Sequence, residues 1–305
     1  MKKYAILDVG TNNVLMLWAK KENRRITTVK REAVISAMGK GMQNGLLTSE
    51  AVTNTKKILK DNILRSLEFT KNIIIVGTSS SREAENISEI SSWTSKEFGL
   101  KYIIISGERE AELNGIANIN EFKDIGDFIL FDVGGGSTEF TFVSGGKIEI
   151  VKTLKLGIRR LHNLHDNFEQ RQNFTKKILQ HIPQNTTSVL VGVGGTATSL
   201  GAIKNKLKKY NAKVVHKSKI TAPELAEIID RIGKMPLDDL KELMTFDVKR
   251  ADIILTGTMI VSEIINYFGA SEFYVSDKGL QYGILNLGES EIAEMLSDRI
   301  TGCTG

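Results

Sequence analysis

The tripeptide Asp-Val-Gly occurs twice, as Asp8-Val9-Gly10 and as Asp132-Val133-Gly134, inside the same arrangement of apolar residues. In the second copy the apolar run Phe128–Phe131 ends on Asp132. Gly134, Gly135, Gly136 and Ser137 follow, and a second run alternates around Glu139, Phe140, Thr141 and Phe142. In the first copy Tyr4–Leu7 leads to Asp8, small and amide residues turn the chain at Gly10, Thr11, Asn12 and Asn13, and Val14–Trp18 leads away. Two strands folded over a short turn fit both copies. The copies stand 124 residues apart (8 to 132), a domain-sized interval, so the chain reads as two related domains.

The turns are where chemistry is expected. The bare N–H groups of Gly134, Gly135 and Gly136 can face an anion, and Ser137 adds a hydroxyl. Asp132 stands at the mouth of that turn, placed to hold a metal ion over the anion.

With 305 residues the chain suits two domains of ordinary size. No apolar run approaches the roughly 20 residues of a membrane span, and a cytoplasmic location with no membrane partner is expected. A single cysteine, Cys303, excludes an intramolecular disulfide framework. The net charge of +5 falls in residues 1–123, with 19 Lys+Arg against 14 Asp+Glu, whereas residues 124–305 balance at 22 and 22. Within that neutral half, Lys204–Lys219 holds seven lysines and no acid. It reads either as a solvated face or as a guide that tunes affinity for long polyanions. Nucleic acid is disfavoured, because only Tyr210 interleaves an aromatic ring.

Taken in order, the first half reads as three strands, then helix, strand, helix, strand, helix. Leu46–Phe69 is a helix capped by Thr48 or Ser49, and Ser80 with Glu83 has the spacing of a capping box for a helix ending near Gly99. From about 126 the same order restarts, with Gly145-Gly146 as a hairpin turn. One helical stretch is expected over Arg159–His181 and another over Asp247–Phe268. Lys204–Leu243 is extra relative to the first half. Domains are drawn at 1–123 and 124–288, with a C-terminal helix at about 289–305 packing back on the first.

This order of strands and loops resembles the actin, sugar kinase and heat-shock ATPase superfamily. That implies an α/β fold of two ribonuclease-H-like domains with a cleft between them, on which the loops at 8–13, 132–137 and 192–196 would converge. A narrower resemblance rests on Asp8-Val-Gly-Thr-Asn-Asn13, Gly77-Thr-Ser-Ser-Ser-Arg-Glu-Ala-Glu-Asn86, Ser106-Gly-Glu-Arg-Glu-Ala111 and Asp132-Val-Gly-Gly-Gly-Ser-Thr-Glu139. Leu156-Gly157, Gly192-Val-Gly-Gly-Thr196, Arg250-Ala-Asp252 with Gly257, and Val275-Ser-Asp277 continue it along the chain. Together these are similar to the exopolyphosphatase/guanosine pentaphosphate phosphatase family.

The resemblance implies release of orthophosphate from the end of inorganic polyphosphate or of guanosine pentaphosphate. Glu110 falls on the family's catalytic glutamate, as general base. Glu139 falls on the second important glutamate, binding Mg²⁺ or positioning water, and Asp8 and Asp132 would hold the same ion. Arg82 falls on a phosphate-contacting arginine. Gly10, Thr11, Asn12, Asn13, Gly134, Gly135, Gly136, Ser137, Gly194, Gly195 and Thr196 would line the phosphate loops. A homodimer is left open by the resemblance. Three positions depart from the pattern: Asn13 replaces a serine, Ser80 an alanine, and Ala37 stands where an arginine is common.

Other chemistries have thin support. His162, His165, His181 and His216 form no metal set with acids or cysteine, and Cys303 has no local base. Thr78-Ser79-Ser80-Ser81 offers hydroxyls without a paired histidine. The alternatives are a small-substrate kinase of the same superfold and a non-catalytic sensor of polyphosphate or an alarmone. At Glu110 the helix dipole is expected to keep the carboxylate ionised.

Overall fold

The computed structural model describes residues 1–23, 25–165, 167–184 and 189–297. Cys303 and the end of the expected C-terminal helix lie outside the described residues. Contacts divide the chain into two units, Met1–Glu110 with the chain from Leu280 onward, and Ala111–Gly279.

The first unit opens with β1 (Lys2–Val9), β2 (Asn13–Glu22) and β3 (Arg25–Ile35), followed by α1 (Ser49–Phe69) and β4 (Ile73–Gly77). Then come α2 (Ser79–Glu83), α3 (Ser88–Phe98), β5 (Tyr102–Ile104) and α4 (Gly107–Asn118), inside which the units divide. Its sheet runs β3-β2-β1-β4-β5. Ile73, Ile74, Ile75 and Val76 are all buried, as expected of a strand with parallel neighbours covered on both faces. On α1, Thr48 caps the start by accepting from the Ala51 N–H, and Val52, Leu59 and Ile63 pack with Leu7, Val9, Met16 and Ile75. Each such fully buried side chain contributes about 1.5–3 kcal/mol.

The second unit repeats this plan. β6 (Phe128–Val133), β7 (Thr138–Ser144) and β8 (Lys147–Leu154) form a meander, followed by α5 (Ile158–Leu164), α6 (Phe168–Leu179), β9 (Leu190–Val193) and α7 (Gly194–Lys204). After α8 (Ala212–Val215) come β10 (Lys219–Thr221), α9 (Ala222–Gly233), α10 (Leu237–Leu243), α11 (Ile254–Phe268) and β11 (Glu272–Val275). The order β8-β7-β6-β9-β11 matches that of the first sheet, with β10 added antiparallel at the edge. Both sheets are therefore mixed. The duplication extends to the irregularities: the ladder slips at Trp18/Ala19 in one unit and at Phe142/Val143 in the other, again 124 positions apart (18 to 142). Gly145 and Gly146 turn β7 into β8 with φ of 55° and 73°, the left-handed angles a tight hairpin requires. On one face of β6, Ile129 and Phe131 pack with Phe140, Leu200, Ile260 and Phe273; on the other, Phe128 and Leu130 pack with Phe122 and Val191. The chain ends with α12 (Leu280–Asn286) and α13 (Glu289–Ser297), where Glu289 pairs with Lys2 at 2.9 Å.

Three local expectations are corrected. The stretch Arg159–His181 is two helices, because Asn167 caps a new one by accepting from the Gln170 N–H. Asp247–Phe268 begins as a single 3₁₀ turn, Val248–Arg250, and becomes α-helical only at Ile254. Ser80 and Glu83 form no capping box: Thr78 is the N-cap of α2, its hydroxyl donating to the Val9 carbonyl rather than capping the helix, and Ser80 donates to Thr11 Oγ1 at 2.9 Å. A capping box does occur at Thr221 and Glu224, inside the segment read as extra, which also supplies β10.

Candidate active site

In the second unit the turn over β6 and β7 is closed by the Gly134 N–H donating to the Ser137 carbonyl at 3.0 Å. All three glycine carbonyls are then taken by the segment after β8. Gly134 O accepts from Ile158 N (3.0 Å), and Gly135 O accepts from Arg159 N and Arg160 N (2.8 and 3.1 Å). Gly136 O accepts from Arg160 Nε (2.8 Å). No peptide bond among the described residues is cis. In a trans peptide the N–H lies opposite the C=O, so the N–H groups of Gly135, Gly136 and Ser137 point away from α5. None of these three donates to any group among the described residues. Three successive outward N–H groups make a nest that suits an anion. The fit is close: a Cβ on Gly157 would lie 2.3 Å from the backbone carbon of Gly136.

The first unit builds its turn in the same way. Gly10 N donates to Asn13 O at 2.8 Å, Thr11 O accepts from Gly39 N (2.8 Å), and Asn12 O accepts from Ser36 N and Ala37 N (3.1 and 3.0 Å). Ala37, where the family pattern often has arginine, takes φ of 51° to do so. The loop residues differ. Asn12 and Asn13 present amides, and Asn12 Nδ2 lies 3.4 Å from Asn13 Oδ1.

Ladder register places Asp132 directly opposite Glu139, and Asp8 directly opposite Leu15. Opposed residues of an antiparallel pair share a face, so only the second hairpin sets two carboxylates side by side. Glu139 is buried and accepts from Thr153 Oγ1 at 3.2 Å. Asp132 accepts from Asn114 Nδ2 at 3.1 Å, and its other oxygen lies where a Cβ on Gly194 would come within 2.1 Å. Among the described residues no three His, Cys, Asp or Glu side chains form a metal cage. A hard cation bound through one or two carboxylates and the substrate's own phosphates needs none, and this oxygen pair fits such an ion. Asp8 faces Leu15 across its ladder. Its charge adds a small push to the burial that holds the Tyr102 phenol, hydrogen-bonded to Ser81, well above its ordinary pKa.

Glu110, in the first turn of α4, pairs with Arg82 from α2 at 2.8 Å, and Arg82 Nη1 also donates to the Ile105 carbonyl at 3.0 Å. Burial raises the Glu110 carboxyl above its ordinary pKa, and Arg82 pulls the other way. The expected dominance of the helix dipole is thus replaced by desolvation. Arg82 thus serves Glu110.

Other sequence-derived residues fall less centrally. Thr196 is fully buried and donates to the Val133 carbonyl at 2.7 Å, tying α7 to β6. What α7 leaves for a ligand is the backbone around Gly194 and Gly195. Asp277 is buried and accepts from Tyr210, while its N–H donates to His216 Nδ1 at 3.2 Å. Four of the seven lysines are engaged: Lys204 with Glu224 (2.8 Å), Lys219 with Glu272 (2.6 Å), Lys217 with Glu121 (3.9 Å), and Lys208 with the Glu242 carbonyl (3.4 Å). The run is largely a solvated face held by acids brought in from elsewhere.

Sequence reasoning passed over three residues. Asn114 stands in no motif. Arg250 belongs to a quoted motif, yet only the fold shows its guanidinium over the bare Cα of Gly195, where a Cβ would come within 2.4 Å of Nη2. Arg160, four residues after Leu156, was visible only as one of a pair of arginines.

The duplicated sheets and matched hairpins define a protein of two actin-like domains. The sequence profile of the Ppx/GppA phosphatase family matches residues 17–289, and the chain belongs to that family. The bifunctional 3-dehydroquinate synthase/phosphatase of Fusobacterium nucleatum is 32% identical over 301 residues, covering 90% of this chain but 44% of that longer protein. Exopolyphosphatase 2 of Mycobacterium tuberculosis is 26% identical over 314 residues, covering 93% of this chain and 98% of its own. The crystal structure of the Aquifex aeolicus family member superposes with a TM-score of 0.80 at 25% identity, covering 96% of this chain and 98% of that one. No helix among the described residues is long and apolar enough to cross a membrane.

Proposed function

We propose that the protein hydrolyses terminal phosphoanhydride bonds, releasing orthophosphate from inorganic polyphosphate. The observation that carries this reading is the nest of Gly135, Gly136 and Ser137 N–H groups beside the Asp132/Glu139 pair on one hairpin. The nest holds the non-bridging oxygens of the terminal phosphoryl group, whose charge spreads over them during transfer. Glu110 acts as general base: its carboxylate takes a proton from the attacking water as oxygen bonds to phosphorus, and its raised pKa favours that work. Arg82 orients Glu110 and offers its planar fork to a phosphate oxygen. Asp132 and Glu139 would hold a divalent cation, with Mg²⁺ the expected ion, which would neutralise charge on the oxygen of the departing polyphosphate. Asn12 and Asn13 donate amide N–H groups to further phosphates of the chain. The relative named exopolyphosphatase, matched over nearly its whole length, supports polyphosphate as substrate. Guanosine pentaphosphate presents the same terminal anhydride.

The test is orthophosphate release from polyphosphate and from guanosine pentaphosphate, with Mg²⁺ and with chelator. Mg²⁺-dependent release from polyphosphate is expected. Tight binding of either compound without release would favour a sensor instead.

A further inference from the structure

We infer that Arg160 is a positioning residue that keeps the third N–H of the phosphate nest, that of Ser137, turned toward substrate; the inference rests on the phosphate role proposed for the nest. The peptides 134–135 and 135–136 are held by backbone amides of α5, which do not depend on side-chain identity short of proline. The peptide 136–137 is different. Its carbonyl is held by a side chain, Arg160 Nε at 2.8 Å. Gly136 has no Cβ to restrict it, so without that bond the peptide can rotate and carry the Ser137 N–H out of the nest.

The first hairpin shows what an alternative looks like. The carbonyl that corresponds to Gly136 O is that of Asn12, 124 positions earlier (12 to 136). Two backbone N–H groups hold it, from Ser36 and Ala37. The second unit has a side chain in that role because α5 begins immediately behind the loop, and its amides are spent on Gly134 and Gly135. Two neighbouring cations serve different ends. Arg159 points its guanidinium at Asp252, 2.9 Å away, while Arg160 turns to the loop. Arg160 therefore acts on the reaction through the loop, by preorganising a donor aimed at the developing charge on phosphate.

The experiment measures kcat and KM for orthophosphate release from polyphosphate by the parent, Arg160→Met, Arg160→Lys and Arg160→Ala, with thermal melting of each. Arg160→Met keeps the length and loses the donor. Loss of one preorganised donor costs about 10²-fold in kcat, with the melting temperature unchanged. Arg160→Lys, which can still donate to the Gly136 carbonyl, recovers part of the loss, and added ethylguanidinium restores turnover to Arg160→Ala, which leaves room for it. If the parent releases phosphate and Arg160→Met stays within about twofold of it, the inference is wrong while the hydrolase reading stands. A loss accompanied by a lowered melting temperature, with no recovery by lysine or ethylguanidinium, also overturns it, since Arg160 would then be structural. A parent that releases no phosphate retires the hydrolase reading itself.

Discussion

The hairpins β1–β2 and β6–β7 share register and the bond that closes the turn, and each is followed by a slip in the ladder to the third strand, yet they present different chemistry. In each, the segment after the third strand holds the loop carbonyls from behind, which turns N–H groups outward. The duplicated backbone is thus a device for exposing donors. What was not duplicated is the acid across the ladder: Glu139 faces Asp132, whereas Leu15 faces Asp8. Gly135, Gly136 and Ser137 of one loop are Thr11, Asn12 and Asn13 in the other. The fold supplies two turns with outward N–H groups, and on the proposed reading the side chains at one register position select which of them would handle a cation.

The comparison breaks most directly at that position. Glu139→Leu gives the second hairpin the residue of the first, and its turnover should fall about 10³-fold through loss of transition-state charge stabilisation. Leu15→Glu, the reverse change, should leave turnover within about tenfold of the parent. Comparable losses in the two variants would show that the register pair is not what distinguishes the hairpins.

The first unit contributes through another element. Glu110→Gln should lower kcat by about 10² or more with KM little changed, as for removal of a general base. Burial raises the Glu110 pKa and Arg82 lowers it. The base works deprotonated, so activity should fall on the acid side at a pH above the ordinary carboxylate value of 4.5. Arg82→Gln removes the lowering influence, so the acid limb of the kcat profile should move to higher pH still. A limb that moves down, or does not move, separates Arg82 from Glu110 in function.

Packing sharpens the contrast further. A Cβ on Gly157 meets the backbone of Gly136 at 2.3 Å, whereas a Cβ on Gly39 meets the Thr11 methyl at 2.4 Å and Ser80 Oγ at 2.8 Å. Side chains can turn aside and a pinned backbone cannot. Gly157→Ala should therefore cost about 1–3 kcal/mol, read as a lowered denaturation midpoint, and Gly39→Ala distinctly less. The smallest effect belongs to the lysine run. Lys206, Lys209 and Lys213 are exposed and have no ion pair among the described residues. Changing all three to Gln should weaken binding of long polyphosphate only slightly, by about 1 kcal/mol or less, and only at low salt.

Much of this was legible in the sequence because the duplication is written in residue types that leave few choices. Asp-Val-Gly at the end of an apolar run fixes a strand, a turn and the face on which the acid stands; the alternation Glu139, Phe140, Thr141, Phe142 fixes the register of its partner. Helix breaks were less legible. Asn167 interrupts a run with helical periodicity, and only its side-chain bond to the Gln170 N–H reveals a cap. The thresholds between chemistry and structure were also hidden. Thr196 looks like a phosphate ligand in a Gly-Gly-Thr turn, but its hydroxyl is consumed by Val133, a residue 63 positions earlier. Arg82 and Glu110 were both singled out, though nothing local shows that they hold each other. Asn114 and Arg160 act through partners that only the fold brings near.

On the proposed reading the second hairpin, rather than the first, carries the cation and the reacting phosphate. Asp8 and Asp132 occupy the same place in the two copies, so the same substitution in each is the most direct test. The measurement is kcat for orthophosphate release from polyphosphate at saturating Mg²⁺ in Asp132→Asn and in Asp8→Asn. The account predicts a loss of about 10³-fold for Asp132→Asn and of about tenfold or less for Asp8→Asn. Equal losses, or the larger loss at Asp8, would contradict it.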